Sequence, residues 1–184
     1  IVLMCIYGVL FLDYDTDVIN QNMAIKLETP SMEHWFGTDS FGRDIFNRIV
    51  YGARYSLFIG FSSTIISLTI GSILGCIAGY FGGKIDNIIM RITDVFIAIP
   101  STLMAIAVVS ALEPNFANLI IAIALGDIPG YARIIRSSVL SIKDNEFVEA
   151  SVAVGGSSAH IMAQHIFPNT LAALIVQATL GVGY

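Results

Sequence analysis

Few side chains in this sequence stand where they could do chemistry. His160 and His165 share one short stretch, but five positions is roughly 140° round an α-helix, so they do not share a face as the ligands of an H-E-x-x-H zinc helix do. Cys5 and Cys76 each fall inside an apolar run, which suggests neither a disulfide framework nor a metal pair. No G-x-S-x-G raises a nucleophilic serine, and no G-x-x-x-x-G-K-[ST] cradles a phosphate. One acid remains, Asp127, within an otherwise apolar run, where a charge costs roughly 2.5–3.5 kcal/mol to insert into a bilayer. The sequence encodes no catalytic constellation, no metal site and no cofactor site of its own.

The positioning elements are therefore the informative part. The chain is 55% hydrophobic and 12% charged, outside the usual soluble range and in the direction of a membrane protein. A net charge of −5 without a basic cluster argues against nucleic acid as a partner. The expected fold is an all-α, polytopic bundle of transmembrane helices in a lipid bilayer. Ile1 to Leu12 is apolar but too short to span, since a bilayer needs about 20 residues. It reads as a truncated first transmembrane helix (1–12), because no basic segment or small-residue cleavage site marks a signal peptide. Both ends lie in apolar runs, so a piece of a longer chain is expected.

Residues 13–54 read as an external loop with an interfacial helix. Thr38, Asp39 or Ser40 can cap that helix, Asp44 stands four residues before Arg48 for an ion pair, and Ile45, Phe46, Ile49 and Val50 make its apolar stripe. Tyr55 to Phe81 carries no charge and is long enough to span. Gly71, Gly75, Gly79 and Gly83 recur every fourth residue, a stripe that lets a second helix approach closely. Gly82 to Asp94 is a polar turn with an amphipathic start. Val95 to Leu112 is apolar, with Pro100 predicting a kink. After the turn Glu113-Pro114-Asn115, the run Phe116–Ala132 holds Asp127 and is interrupted by Pro129-Gly130, before Arg133 and Arg136 mark its exit. Ile166 to Tyr184 is a further uncharged run, softened by Gln177, Gly181 and Gly183.

One stretch between these runs reads as soluble, the helical hairpin of about 141–168. Asp144 can cap a first helix, with Glu146 in its first turn where the dipole favours an acid. Phe147, Ala150 and Val154 recur at helical spacing, Val148 and Val152 beside them, and Gly155-Gly156 ends the helix. Ser157 or Ser158 caps a second helix, and Pro168 suits the first turn of the next segment. Periodicity alone leaves two occupants open for the apolar side, a partner groove or a lipid surface.

Glu149-Ala150-Ser151, then Gly155, then Ile166-Phe167-Pro168 resembles the "EAA, three residues, G, then I-x-P" loop of ABC importer permeases, with Ser151 at the second alanine. G-T-D, G-R-D and G-A-R between Gly37 and Arg54 resemble the dipeptide, oligopeptide and nickel branch of that family. G-Y-F-G-G from Gly79 and Y-A-R-I-I-R from Tyr131 continue the likeness, with Ile128 where a tryptophan is usual. The resemblance implies a permease domain over 55–184, multi-pass in the cytoplasmic (inner) membrane of a prokaryote. It implies a second permease subunit, two ATPase subunits that hold ATP and Mg, and an extracytoplasmic solute-binding protein. It makes Phe147, Glu149, Ala150, Ser151, Val154, Gly155, Ile166 and Pro168 a cytoplasmic loop that docks on the ATPase. Gly71, Gly75 and Gly79 are expected to pack helices. Asp127, with Pro129 and Gly130 marking a local break, borders the translocation path or hydrogen-bonds the backbone that the break frees. Nine basic residues divide almost evenly between the two sides, so charge alone does not orient the chain. A membrane scaffold or sensor, whose hairpin only binds lipid or a regulatory partner, is the alternative. An intramembrane enzyme is disfavoured by the missing constellations.

Overall fold

The computed structural model describes residues 2–181, which are mostly helical apart from the loop that precedes the first long helix; the one β-bridge among them is antiparallel, between Thr38 and Asp44. The chain has the expected all-α architecture and falls into two compact units, Ile1–Phe58 and Ile59–Tyr184.

In the first unit, helix α1 (Val2–Phe11) packs on the start of helix α2 (Ile45–Phe81), and a Cβ on Gly8 would stand 3.1 Å from Val50 Cγ1. Asp13 caps a five-residue π turn over Tyr14–Val18, accepting from the N–H groups of Asp15 and Thr16. The loop before α2 is tied by two residues. Thr38 takes the N–H of Glu28 at 2.9 Å and donates to the carbonyl of Ile25. The carboxylate of Asp39 accepts from the N–H groups of Phe41 at 2.8 Å and Arg43 at 3.1 Å, and pairs with the guanidinium groups of Arg43 at 2.7 Å and Arg48 at 2.6 Å.

No separate interfacial helix forms. Residues 38–44 are a turn, Asp44 caps Asn47 at 2.8 Å, and α2 then runs unbroken for 37 residues. No proline lies between Ile45 and Phe81, so nothing interrupts the hydrogen-bond ladder where the interfacial segment was expected to end. The expected Asp44–Arg48 pair is also absent. His34 Nδ1 holds Asp44 at 2.8 Å, and Arg48 reaches back to Asp39, which already orders Arg43. Arg54 lies over the rings of Tyr51 and Tyr55, at 3.8 and 4.6 Å from their centroids, a pairing suited to a membrane boundary.

The second unit is arranged around helix α5 (Phe116–Ile142). A Cβ added to Gly71, Gly75 or Gly79 would come within 2.6 Å of Tyr131 Cβ, 2.5 Å of the Ala132 carbonyl oxygen and 2.8 Å of Val139 Cβ, so only hydrogen fits between α2 and α5 at these points. Gly83, the fourth residue at this spacing, lies beyond the end of α2 in open space, with φ +54. The Ser67 hydroxyl stands 2.7 Å from the Ser63 carbonyl and 3.1 Å from that of Ala124 on α5.

Helix α3 (Gly83–Ile97) and helix α4 (Ser101–Ala111) meet at 84°, so Pro100 breaks the run that was expected only to kink. Pro100 cannot donate to a carbonyl of the previous turn, and its ring drives Ile99 out of the helical region. The Pro100 carbonyl instead accepts from Met104 at 3.0 Å and starts α4. The reverse correction holds at Pro129-Gly130, where a break was expected. α5 passes through Pro129 as one 27-residue helix. Pro129 is fully buried, its fixed φ suits a helix, and packing on α2, α3, α4 and helix α8 (Phe167–Gly181) offsets the one lost bond. Asn115, the last residue of the turn before it, caps α5 by accepting from the N–H of Asn118 at 2.8 Å.

α2 and α5 are each long and apolar enough to cross a membrane, and the bent pair α3–α4 makes a third if it is one span. α8 comprises 15 residues; Gly183 and the end of the expected last run lie outside the described residues.

Two outcomes follow from these contacts. Gly75→Leu must push α5 away from α2, an overpacking expected to cost about 1–3 kcal/mol, and should lower Tm and the yield of folded protein in detergent; an unchanged Tm would place the stripe elsewhere. At Asp39, partial burial alone would raise the carboxyl, but the hydrogen bonds and charge of Arg43 outweigh it and hold its pKa at about 2. A depressed folded pKa gives stability that is present above the unfolded value and lost as pH falls toward the folded one. Fluorescence of Trp35, the sole tryptophan, packed 4.9 Å from the Phe46 ring, should hold constant from pH 7 to about 4 and change between about 4 and 2. Asp39→Asn should remove most of that change.

Candidate functional site

The hairpin is built onto the end of α5. Lys143 closes α5, Asp144 falls in the connecting turn, and helix α6 (Glu146–Ala153) starts from Asn145. The expected cap at Asp144 therefore lies one residue too early. The Asn145 side chain makes no cap bond either; its carbonyl accepts from Val148 at 2.9 Å and Glu149 at 3.2 Å, while Glu146 and Glu149 supply the acids that the dipole favours.

The C-terminus of α6 is a Schellman closure. Gly155 N–H donates to the Val152 carbonyl and Gly156 N–H to that of Ser151, each at 2.9 Å, with Gly155 at φ +85. Nothing lies within 4 Å of a Cβ on Gly155, so a side chain there meets conformational strain alone. Ser157 then caps helix α7 (Ser158–Ile161), accepting from His160 N–H at 3.3 Å.

A π turn over Met162–Ile166 joins α7 to α8, closed by Phe167 N–H on the Met162 carbonyl. Pro168, the second residue of α8, offers no N–H and would crowd the carbonyl of Gln164; the wider turn relieves that crowding. The π turn corrects the reading of the histidines. The wider turn closes part of the angle between His160 and His165, whose ring centroids stand 5.9 Å apart, and His165 lies 6.4 Å from Phe147. Among the described residues no three His, Cys, Asp or Glu side chains gather to hold a metal.

The hairpin has a fixed side and a free side. Val148, Ile161 and Ile166 join Ile135, Val139, Cys76 and Leu174 in one buried cluster. Phe147 is 42% exposed and Val154 86% exposed, with Glu149, Ala150 and Gly155 also outward. Ser151 is half-buried beside the turn, Pro168 is exposed, and Ile166 is wholly inside, so the motif residues do not form one surface. On another flank, Tyr80, Lys143 and α6 enclose an open cleft of about 390 Å³.

The residues assigned to a path divide as well. Asp127 and Gly130 lie on the exposed side of α5, whereas Pro129 points inward. Asp127 forms no ion pair among the described residues. Two other acids do. Asp86 receives Arg136 through two bonds of 2.5 Å, and Asp94 receives Arg133 at 2.5 Å, fastening α3 to α5. The sequence analysis missed these pairs. Their signal was the spacing, eight residues between the acids and three between the arginines, each of which keeps the side chains near one helix face.

Long apolar helices around one central span, with a helical hairpin anchored at their surface, define a helical membrane protein. Residues 71–184 match the family described as binding-protein-dependent transport system inner membrane component. The chain belongs to that family and is a multi-pass protein of the inner membrane. It is 52% identical over 162 residues to the dipeptide transport system permease protein DppC of Alkalihalophilus pseudofirmus, covering 88% of this chain and 53% of that protein. It is 42% identical to the oligopeptide transport system permease protein OppC of Bacillus subtilis, covering 99% of this chain and 59% of the relative. It is 40% identical to the probable D,D-dipeptide transport system permease protein DdpC of Escherichia coli, covering 98% and 60%. The chain thus spans between half and two thirds of the length of these relatives.

Gly155→Val is expected to cost roughly 1 kcal/mol or more locally. Hydrogen exchange at Gly156 N–H should quicken by roughly fivefold or more while α2 and α5 stay protected; equal protection in both proteins would mean that the glycine is not holding the turn.

Proposed function

We propose that this chain is the transmembrane permease part of an ATP-driven importer of dipeptides or oligopeptides, with the hairpin as its coupling element. The observation that carries this reading is the divided hairpin. Val148, Ile161 and Ile166 fix it to the core, while Phe147 and Val154 present apolar surface left exposed among the described residues. A docked ATPase subunit covers that surface, and Glu149 meets a basic group on it. The assembly comprises a second permease subunit, two ATPase subunits and an extracytoplasmic binding protein. ATP and Mg sit on the ATPase subunits; this chain binds neither and is not itself an enzyme. ATP closes the ATPase pair, the hairpin carries that movement to α5 and α8, and the path between the permeases opens outward. The hairpin is cytoplasmic on this reading. The peptide transport named for the relatives favours peptides over nickel as cargo.

Asp127 borders that path or the second permease, because a carboxylate on the outer side of a span is too costly to leave against lipid. Asp127→Asn should slow uptake of cationic peptides at least threefold more than that of neutral ones in reconstituted vesicles; an equal effect on both would remove charge recognition from its role.

Glu149→Lys and Gly155→Val should leave membrane insertion normal, yet reduce ATPase recovery in pull-downs from membranes and abolish the ATP turnover that loaded binding protein stimulates. Full recovery with full stimulation in both variants would show that the hairpin does not couple, and would favour a lipid-binding or sensory role for it.

A further inference from the structure

We propose that a cleft between α1, the loop before α2 and the first turns of α2 binds a phospholipid whose head group carries a primary ammonium. The cleft has a volume of about 490 Å³. The rings of Tyr7, Trp35 and Phe46 line it, together with the carboxylates of Glu33 and Asp44. Local chemistry holds these groups in place. Trp35 packs 4.9 Å and Phe36 5.4 Å from the Phe46 ring. Glu33 sits in a turn closed by two hydrogen bonds, Ser31 N–H to the His34 carbonyl at 2.9 Å and His34 N–H to the Ser31 hydroxyl at 3.0 Å. Asp44 is fixed by His34 Nδ1 and by the N–H of Asn47, each at 2.8 Å.

Charge selects the head group. Among the described residues Glu33 forms no ion pair, and the nearby Arg43 and Arg48 are both engaged by Asp39. Arg43 and Arg54 lie over the rings of Phe41, Tyr51 and Tyr55, so no described cation covers a ring of the cleft. An ammonium placed there is attracted by the ring faces, and the N–H groups of a primary one also donate to the carboxylates. A quaternary ammonium has no N–H to give, and an anionic head group is repelled by both acids. The apolar remainder selects a lipid over a soluble amine. Leu3, Met4 and Val50 complete the wall, and Leu3, 80% exposed, continues through the exposed Ile6 and Leu10 along one face of α1, a surface suited to acyl chains. Depth agrees with this occupant. Arg54, with Tyr51 and Tyr55, suits the membrane boundary, and Val50 and Asn47 stand four and seven residues before it, about 6 and 10 Å along α2. The head-group layer is about 5–8 Å deep on each side of the hydrocarbon, which brings the cleft to its level.

The test titrates the full-length permease, in detergent micelles at pH 7, with dioctanoyl phosphatidylethanolamine, phosphatidylcholine or phosphatidylglycerol. The readout is Trp35 emission, taken as the difference from a Trp35→Phe variant. The ethanolamine lipid is expected to give a saturable change, with half-saturation at a concentration at least fivefold below that of either other lipid. Glu33→Gln, which disturbs no bond within the described residues, should raise that concentration at least fivefold and leave the choline lipid within twofold. One common curve for the three head groups, or an unchanged ethanolamine curve in Glu33→Gln, would overturn the proposal. Free ethanolamine, which lacks acyl chains, should leave the emission unchanged over the same range; an equal response to it would overturn the assignment to a lipid.

Discussion

The contact between α2 and α5 is the constraint on which the larger unit depends. Lipid gives helices no hydrophobic reason to associate, so van der Waals approach and occasional hydrogen bonds must hold them. Gly71, Gly75 and Gly79 bring the α2 backbone so near α5 that a Cβ at Gly75 would meet the Ala132 carbonyl oxygen at 2.5 Å. With its axis fixed there, α5 becomes the surface on which the other helices are assembled. Its arginines fasten α3, its middle meets α4, and its last turns carry Ile135 and Val139 into the cluster that anchors the hairpin. Pro129 survives inside this helix because its surroundings hold the backbone on every buried side.

Local chemistry was legible in the sequence wherever one residue type has one geometric use. Ser157 and Gly155 each act as their types suggest, and the glycine stripe faces a helix. Readings failed where two similar residues had opposite settings. Pro100 and Pro129 both interrupt apolar runs, yet one ends a helix and the other does not. The difference is tertiary packing around Pro129, which a local pattern does not contain. The π turn was hidden for a related reason, since Pro168 makes Met162–Ile166 widen without any distinctive residue inside the turn. The Asp86–Arg136 and Asp94–Arg133 pairs join residues 50 and 39 positions apart, and only the fold brings them together.

Family membership and geometry meet in the hairpin. Its two helices are each short, 8 and 4 residues, and neither would hold its shape alone in water. Three buried aliphatic side chains and a glycine turn closed by two hydrogen bonds supply the order that length does not. Order of that kind leaves the opposite side free to be shaped by a partner, which is why Phe147 and Val154 can stay exposed without loosening the element.

The glycine stripe also has a bearing on how the chain is made. The Ser67 hydroxyl reaches the Ala124 carbonyl across 57 residues, so α2 emerges from the ribosome well before its mate exists. At typical synthesis rates that interval is roughly 3–11 seconds. A large polar residue on this face would be stranded against lipid throughout the wait. Glycine strands nothing, and Ser67 can meanwhile bond to the Ser63 carbonyl of its own helix at 2.7 Å. The same face that gives tight packing at the end is therefore one that a nascent span can carry, unmated, into the bilayer.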